Sequence, residues 1–166
     1  QDVVYSGHKH IPFASICPEF AEITVSFMNP SKTFNVPGFR TAAFIASNPV
    51  LKSAVHEMLV NNKAIGENIC GTIAFYTAYE QCDYYADQLV AYLEKNRDLV
   101  EQTLKDVPGI EVTHAEGTYL LWLDCRGLGF ESQKALDKWL VEIAKLGFNS
   151  GMSFGPEGEG LSLIHI

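Results

Sequence analysis

The sequence has few basic residues, no paired-cysteine spacing and no long apolar run. Twelve Lys and Arg stand against 20 Asp and Glu, for a net charge of −8. That balance argues against a nucleic-acid surface, which needs clustered cations. With no run long enough to cross a bilayer and no basic-then-apolar leader, neither a membrane span nor a secretory signal is expected. The four cysteines, Cys17, Cys70, Cys82 and Cys125, show no CxxC spacing. Free thiols in a cytoplasmic protein are expected from them, not disulfides or a zinc site. Internal repeats and low-complexity segments are missing too. What remains, 47% hydrophobic and 19% charged residues over 166 positions, is the composition of a globular chain that can bury a core.

Against that background one polar stretch stands out: Asn29-Pro30-Ser31-Lys32-Thr33-Phe34-Asn35-Val36-Pro37-Gly38-Phe39-Arg40. It lies between two apolar runs that read as strands and carries a single lysine on a turn rich in Ser, Thr, Asn and Gly. Such a lysine is either a solvated loop charge or an amine nucleophile, and the motif alone leaves both open. Burial lowers a lysine pKa and frees the amine for Schiff-base chemistry. Arg40 follows eight positions later, and its planar fork suits bidentate contact with phosphate oxygens.

Periodicity sketches the rest. Residues 3–5 read as the tail of a strand and residues 6–18 as a polar, proline-broken loop. Residues 22–27 alternate polar and apolar, a half-buried strand leading to Lys32, and residues 41–46 read as a buried strand of a mixed or parallel sheet. Asn48 followed by Pro49 signals a helix start. The apolar face of that helix is Val50, Leu51, Ala54, Val55, Met58 and Leu59, with His56 at the surface. Residues 67–80 are apolar nearly all round, a helix expected to be buried in the protein or against a partner. Residues 83–105 keep a helical period for about 23 residues, or ~35 Å. Asn96 breaks the stripe and is a candidate bend or hinge. Two strands at 110–113 and 119–124 follow, then an amphipathic helix at 133–146 that buries Ala135, Leu136, Trp139, Leu140 and Ile143. A short strand at 148–152 comes last.

Other motifs carry less. His8 and His10 lack a third ligand and flank Lys9, which makes a metal site a poor reading. The loop from Gly155 to Gly160 has the glycines of a phosphate loop but two carboxylates and no Gly-Lys-Ser/Thr ending, so it reads as solvated.

The segment Ser31-Lys32-Thr33-Phe34-Asn35, with Gly38 and Arg40, resembles the pyridoxal-phosphate lysine signature of the class I/II aminotransferase family. Three further blocks narrow the match: residues 7–15 (Gly-His-Lys-His-Ile-Pro-Phe-Ala-Ser), residues 117–124 (Gly-Thr-Tyr-Leu-Leu-Trp-Leu-Asp) and residues 151–155 (Gly-Met-Ser-Phe-Gly). They resemble the branch of cystathionine β-lyase-type carbon–sulfur lyases. The resemblance implies an α/β fold of fold type I, with the end of the large mixed-sheet domain at 1–82 and a small α+β domain at 83–160. It implies pyridoxal 5'-phosphate as cofactor, Lys32 as its Schiff-base residue and Arg40 with Ser31 at its phosphate. It further implies a small amino-acid substrate, a homodimer, and β-elimination releasing thiol, pyruvate and ammonia. An aminotransferase is the second reading, and an aminotransferase-like sensor domain of a transcription regulator is the third. Two positions depart from the pattern: Asn29, where glycine or a small hydroxyl is common, and Thr41, where an aliphatic follows the arginine.

Both ends read as cut. No segment before residue 1 supplies the family's ring-nitrogen aspartate, and Asp2 falls after that position. Residues 161–166, Leu-Ser-Leu-Ile-His-Ile, read as the translation of a transposase-adapter sequence, with a natural apolar strand as the competing reading. They are set aside from the expected fold. The 166-residue chain is expected to be a fragment that is inactive by itself.

Overall fold

The computed structural model describes residues 1–66 and 68–166. They form two compact units. The first holds Gln1–Asp2 and Lys9–Leu89, the second Val3–His8 and Val90–Ile166.

The first unit is mostly helical. After a 3-10 turn at Phe13–Ser15 comes α1 (Pro18–Glu22), a helix the sequence did not signal, lying between the end of the expected loop at Pro18 and the start of the expected strand at Glu22. Pro18 sits in the first turn of α1, where its missing N–H costs nothing. The strand expected at 22–27 is shorter and later: β1 is Ser26–Met28. It pairs antiparallel with β2 (Ala43–Ile45) in a two-stranded sheet, with Phe27 opposite Phe44. The mixed or parallel, buried setting expected for residues 41–46 is therefore not what forms in this unit, and Ile45 is exposed.

Helix α2 (Pro49–Asn61) starts where the sequence places it. The Asn48 side chain accepts hydrogen bonds from the Val50 and Leu51 amides, and Pro49 fills the first helical position. Its expected apolar face is only half-covered. Leu51, Val55 and Leu59 are half-buried, whereas Val50, Ala54 and Met58 are exposed. In α3 (Ile69–Gln81) the all-round apolar character leaves Ile69, Ile73 and Tyr76 exposed and buries Gly71 and Ala78. Position 67, where that helix was expected to begin, lies outside the described residues. Helix α4 (Asp83–Leu104) runs unbroken through Asn96, and the boundary between the units falls within it, after Leu89.

The second unit closes a core. Strands β3 (Glu111–Val112), β4 (Leu120–Asp124), β5 (Asn149–Ser150) and β6 (Leu161–His165) form an antiparallel sheet in the order β3-β4-β6-β5. Residues 161–166, set aside on sequence grounds, thus supply an inner strand, with Trp122 opposite Leu163 and Asp124 opposite Leu161. Along β4 burial alternates, so Leu121 and Leu123 point inward as a period of two requires.

Helix α5 (Gln133–Glu142) is capped by the Ser132 side chain on the Ala135 amide. It buries Leu136 and Leu140, four apart on one face, against Leu123 and Cys125. It ends before the expected residue 146, and Ile143, expected inside, is exposed. The strand expected at 148–152 is confined to Asn149–Ser150 because a 3-10 turn takes over at Gly151. Gly151 and Gly158 meet backbone to backbone there, leaving no room for a Cβ on either.

Residues 3–5 form a single bridge, Val4 to Gly117, in place of a full strand end. Tyr5 is buried beneath the Arg97 guanidinium, 4.5 Å from its ring centre, and its hydroxyl donates to the Thr118 carbonyl. Arg97, itself buried, donates to the Ala115 carbonyl at 3.0 Å and to Asp98 at 2.7 Å.

Candidate active site

Lys32 sits on a turn whose shape is set by backbone and short side chains. The Asn29 side chain accepts from the Ser31 amide at 3.0 Å, an Asx turn. The Pro30 carbonyl then accepts from the Phe34 amide at 2.9 Å, and the Ser31 carbonyl from the Val36 amide at 3.1 Å. Asn35 takes a left-handed conformation, φ 53°, which asparagine tolerates better than most residues. Pro30 and Thr33 are buried, whereas Lys32 between them is exposed. The turn thus hides its frame and presents its amine.

A polar cluster lies beneath. The Thr33 hydroxyl donates to the Asp2 carboxylate at 2.8 Å. The Tyr79 hydroxyl, from α3, lies 3.2 Å from the same carboxylate oxygen and 3.1 Å from the Asn29 carbonyl. Burial, together with the Asp2 charge and hydrogen bond, pushes the Tyr79 phenol up to about 12. Phe34 packs edge-on against the Tyr79 ring at 5.2 Å, and Phe75 lies 5.0 Å from that ring on its own helix. Sequence reading missed all three polar partners. Asp2 and Thr33 are 31 positions apart, and Asp2 and Tyr79 are 77 apart, so no local period could pair them.

Arg40 is placed by a different device. A 3-10 turn at Pro37–Phe39 ends on it in the left-handed region, φ 47°. The Asn68 side chain, which caps α3 by accepting from the Gly71 amide, also donates to the Phe39 carbonyl. A Cβ at Gly71 would overlap the Thr41 hydroxyl, so glycine lets the first turn of α3 approach residues 39–41. Arg40 lines a cleft of about 570 Å³ with Phe27, Phe44, Asn68 and Thr72. Ser31 and Lys32 are not among the cleft's described walls. Ser31 is half-buried and sits beside Lys32 on the same turn.

Neither Lys32 nor Arg40 is in an ion pair among the described residues. An amine on a framed turn and an unpaired guanidinium suit a ligand bearing a carbonyl and a phosphate. The histidines do different work: His8 lies 3.3 Å from Glu116 and His114 2.8 Å from Glu101. The cysteines are free, and burial pushes the Cys125 thiol up, as befits a core residue.

Residues 2–155 match the family model described as aminotransferase class I and II. The chain belongs to that family. Among curated aminotransferase-family relatives, cystathionine beta-lyase PatB of Bacillus subtilis (strain 168) is 33% identical over 165 residues, covering 99% of this chain and 42% of PatB. Aspartate aminotransferase of Pyrococcus horikoshii is 30% identical over 159 residues, covering 95% of this chain and 39% of the relative. Among solved structures, cystalysin from Treponema denticola, which contains a pyridoxal 5'-phosphate cofactor, matches with a TM-score of 0.92 and 29% identity. That match covers 99% of this chain and 42% of cystalysin. The α/β, fold-type-I architecture of these enzymes is the fold of this chain, which spans about 42% of the length of such relatives.

Proposed function

We propose that the full-length protein carrying this chain is a pyridoxal 5'-phosphate-dependent carbon–sulfur β-lyase acting on cystathionine-like amino acids. The observation that carries the reading is the Lys32 turn: an exposed amine on a buried, hydrogen-bonded frame, in a chain of this family. The likeness to PatB and to cystalysin supports the lyase branch.

The residues present fit the cofactor by chemistry. Lys32 Nζ would hold the cofactor's aldehyde carbon and, once released by an incoming amino acid, take the proton from the substrate Cα. Arg40 would hold phosphate oxygens through its fork, with the Ser31 hydroxyl as a further donor. The chemistry such a cofactor supplies is that of an electron sink for the electron pair left at Cα. Loss of the thiolate from Cβ and addition of water then balance as cystathionine plus water to homocysteine, pyruvate and ammonia. In this reading residues 1–82 belong to the cofactor domain, residues 83–160 form the small domain, and residues 161–166 are of adapter origin. The working protein is a cytoplasmic homodimer.

The likeness to an aspartate aminotransferase supports a second reading, amino-group transfer at the same lysine. Cystathionine given to the full-length protein separates the two. The lyase releases pyruvate and ammonia with no keto acid added, whereas strict dependence on a keto-acid acceptor assigns transamination.

A further inference from the structure

The cluster beneath Lys32 does more than fill space. Thr33, the residue next to the lysine, is buried, and its hydroxyl donates to the carboxylate of Asp2, 31 positions earlier, at 2.8 Å. The same Asp2 oxygen lies 3.2 Å from the Tyr79 hydroxyl. Tyr79 belongs to α3, the thirteen-residue helix from Ile69 to Gln81. Its hydroxyl also lies 3.1 Å from the carbonyl of Asn29, the residue that opens the turn. Tyr79 therefore faces both the entry of the turn, at Asn29, and its middle, through Asp2 and Thr33. Phe34, on the far side of the lysine, packs on the Tyr79 ring at 5.2 Å and on the Tyr85 ring at 6.2 Å. Asn29, Thr33 and Phe34 are thus each fixed to Tyr79 or Asp2, and Lys32 is the residue left to project.

We propose that Asp2, Thr33 and Tyr79 are positioning residues for the Lys32 amine, locking its turn to α3 so that the amine is presented in one place. The inference rests on Lys32 being the cofactor lysine. A framed amine captures an aldehyde faster than a mobile one because the turn need not be reordered for each capture. The carboxylate makes the Thr33 contact a charge-assisted hydrogen bond, stronger than one between neutral groups. Without the hydroxyl, the segment around Lys32 opens more readily while the rest of the fold keeps its contacts.

The test compares Thr33→Val, which keeps the shape and removes the hydroxyl, with Thr33→Ser, which keeps the hydroxyl, in the full-length protein. In the cofactor-free protein, amide hydrogen exchange over residues 31–36 should rise about tenfold in Thr33→Val, the equilibrium equivalent of losing one such bond, and stay near the unmodified rate in Thr33→Ser. Pyridoxal phosphate is then added, borohydride traps the captured aldehyde, and the modified lysine is mapped by peptide mass. Capture at Lys32 should slow about tenfold in Thr33→Val and recover in Thr33→Ser, with Tyr79→Phe slowed in the same direction. Equal capture rates in all variants overturn the proposal while leaving Lys32 as the cofactor lysine. So does equal slowing in Thr33→Val and Thr33→Ser. If the unmodified protein captures nothing at Lys32, the cofactor reading and this inference fall together.

Discussion

In the second unit the buried apolar side chains include Tyr5, Leu93, Leu121, Leu123, Cys125, Leu136, Leu140 and Leu163. In the first, Pro30 and Ala78 are the buried aliphatic or aromatic side chains among the described residues, and Val50, Met58, Ile69 and Ile73 are exposed. The proposed cofactor-binding residues lie on the other side of that contrast, since Ser31, Lys32 and Arg40 all belong to the first unit. Burial of apolar area shapes the second unit. The Lys32 turn instead takes its shape from a handful of hydrogen bonds, each worth about 1 kcal/mol or somewhat more when a charge takes part. A site framed in this way is easily retuned and easily lost.

The largest expected effect comes from the packed side. Leu136→Ala should destabilise the second unit by about 2–5 kcal/mol, because it empties space between α5 and Leu123. Met58→Ala on the exposed face of α2 should cost less than about 0.5 kcal/mol. Denaturant midpoints of the two variants measure the contrast, and similar losses would erase it. Next in size, Asn48→Ala removes the acceptor for two amides at the start of α2 and should cost about 1 kcal/mol. Hydrogen exchange should then quicken in the first turn of α2 and not in β4.

The smallest effect at neutral pH concerns Tyr79. Its phenol is raised from an ordinary 10.0 to about 12 by burial and by Asp2. A folded pKa above the unfolded one stabilises the fold fully below pH 10.0 and loses that contribution as pH rises through about 12. The difference in tyrosinate absorbance between the unmodified protein and Tyr79→Phe should therefore appear late in an alkaline titration. A midpoint near 10.0 would mean that the phenol is neither buried nor held beside the Asp2 carboxylate.

Legibility followed the range of each interaction. The helix start at Asn48-Pro49, the course of α4 and the β3–β4 pair were readable because caps and periods act over a few residues. The Lys32 turn was readable as a motif because Asn29, Ser31 and Asn35 are local turn formers. Its frame was not, since Asp2, Thr33 and Tyr79 meet only after folding. Strand β6 escapes the sequence reading for another reason: reading residues 161–166 as an adapter translation leaves them out of the expected fold, yet any apolar-alternating segment can pair and bury as Leu163 and Ser162 do beside Trp122 and Leu123. The burial assigned to Ile143 failed because α5 ends one residue before it.

The central claim is that Lys32 is the lysine that holds the cofactor. The most direct measurement is borohydride reduction of the full-length protein with pyridoxal phosphate, followed by peptide mapping, in the unmodified protein and in Lys32→Ala. The account predicts a single stable phosphopyridoxyl modification on Lys32, and loss of both that modification and the yellow absorbance in Lys32→Ala. A modification at another lysine, or unchanged colour in Lys32→Ala, would contradict it.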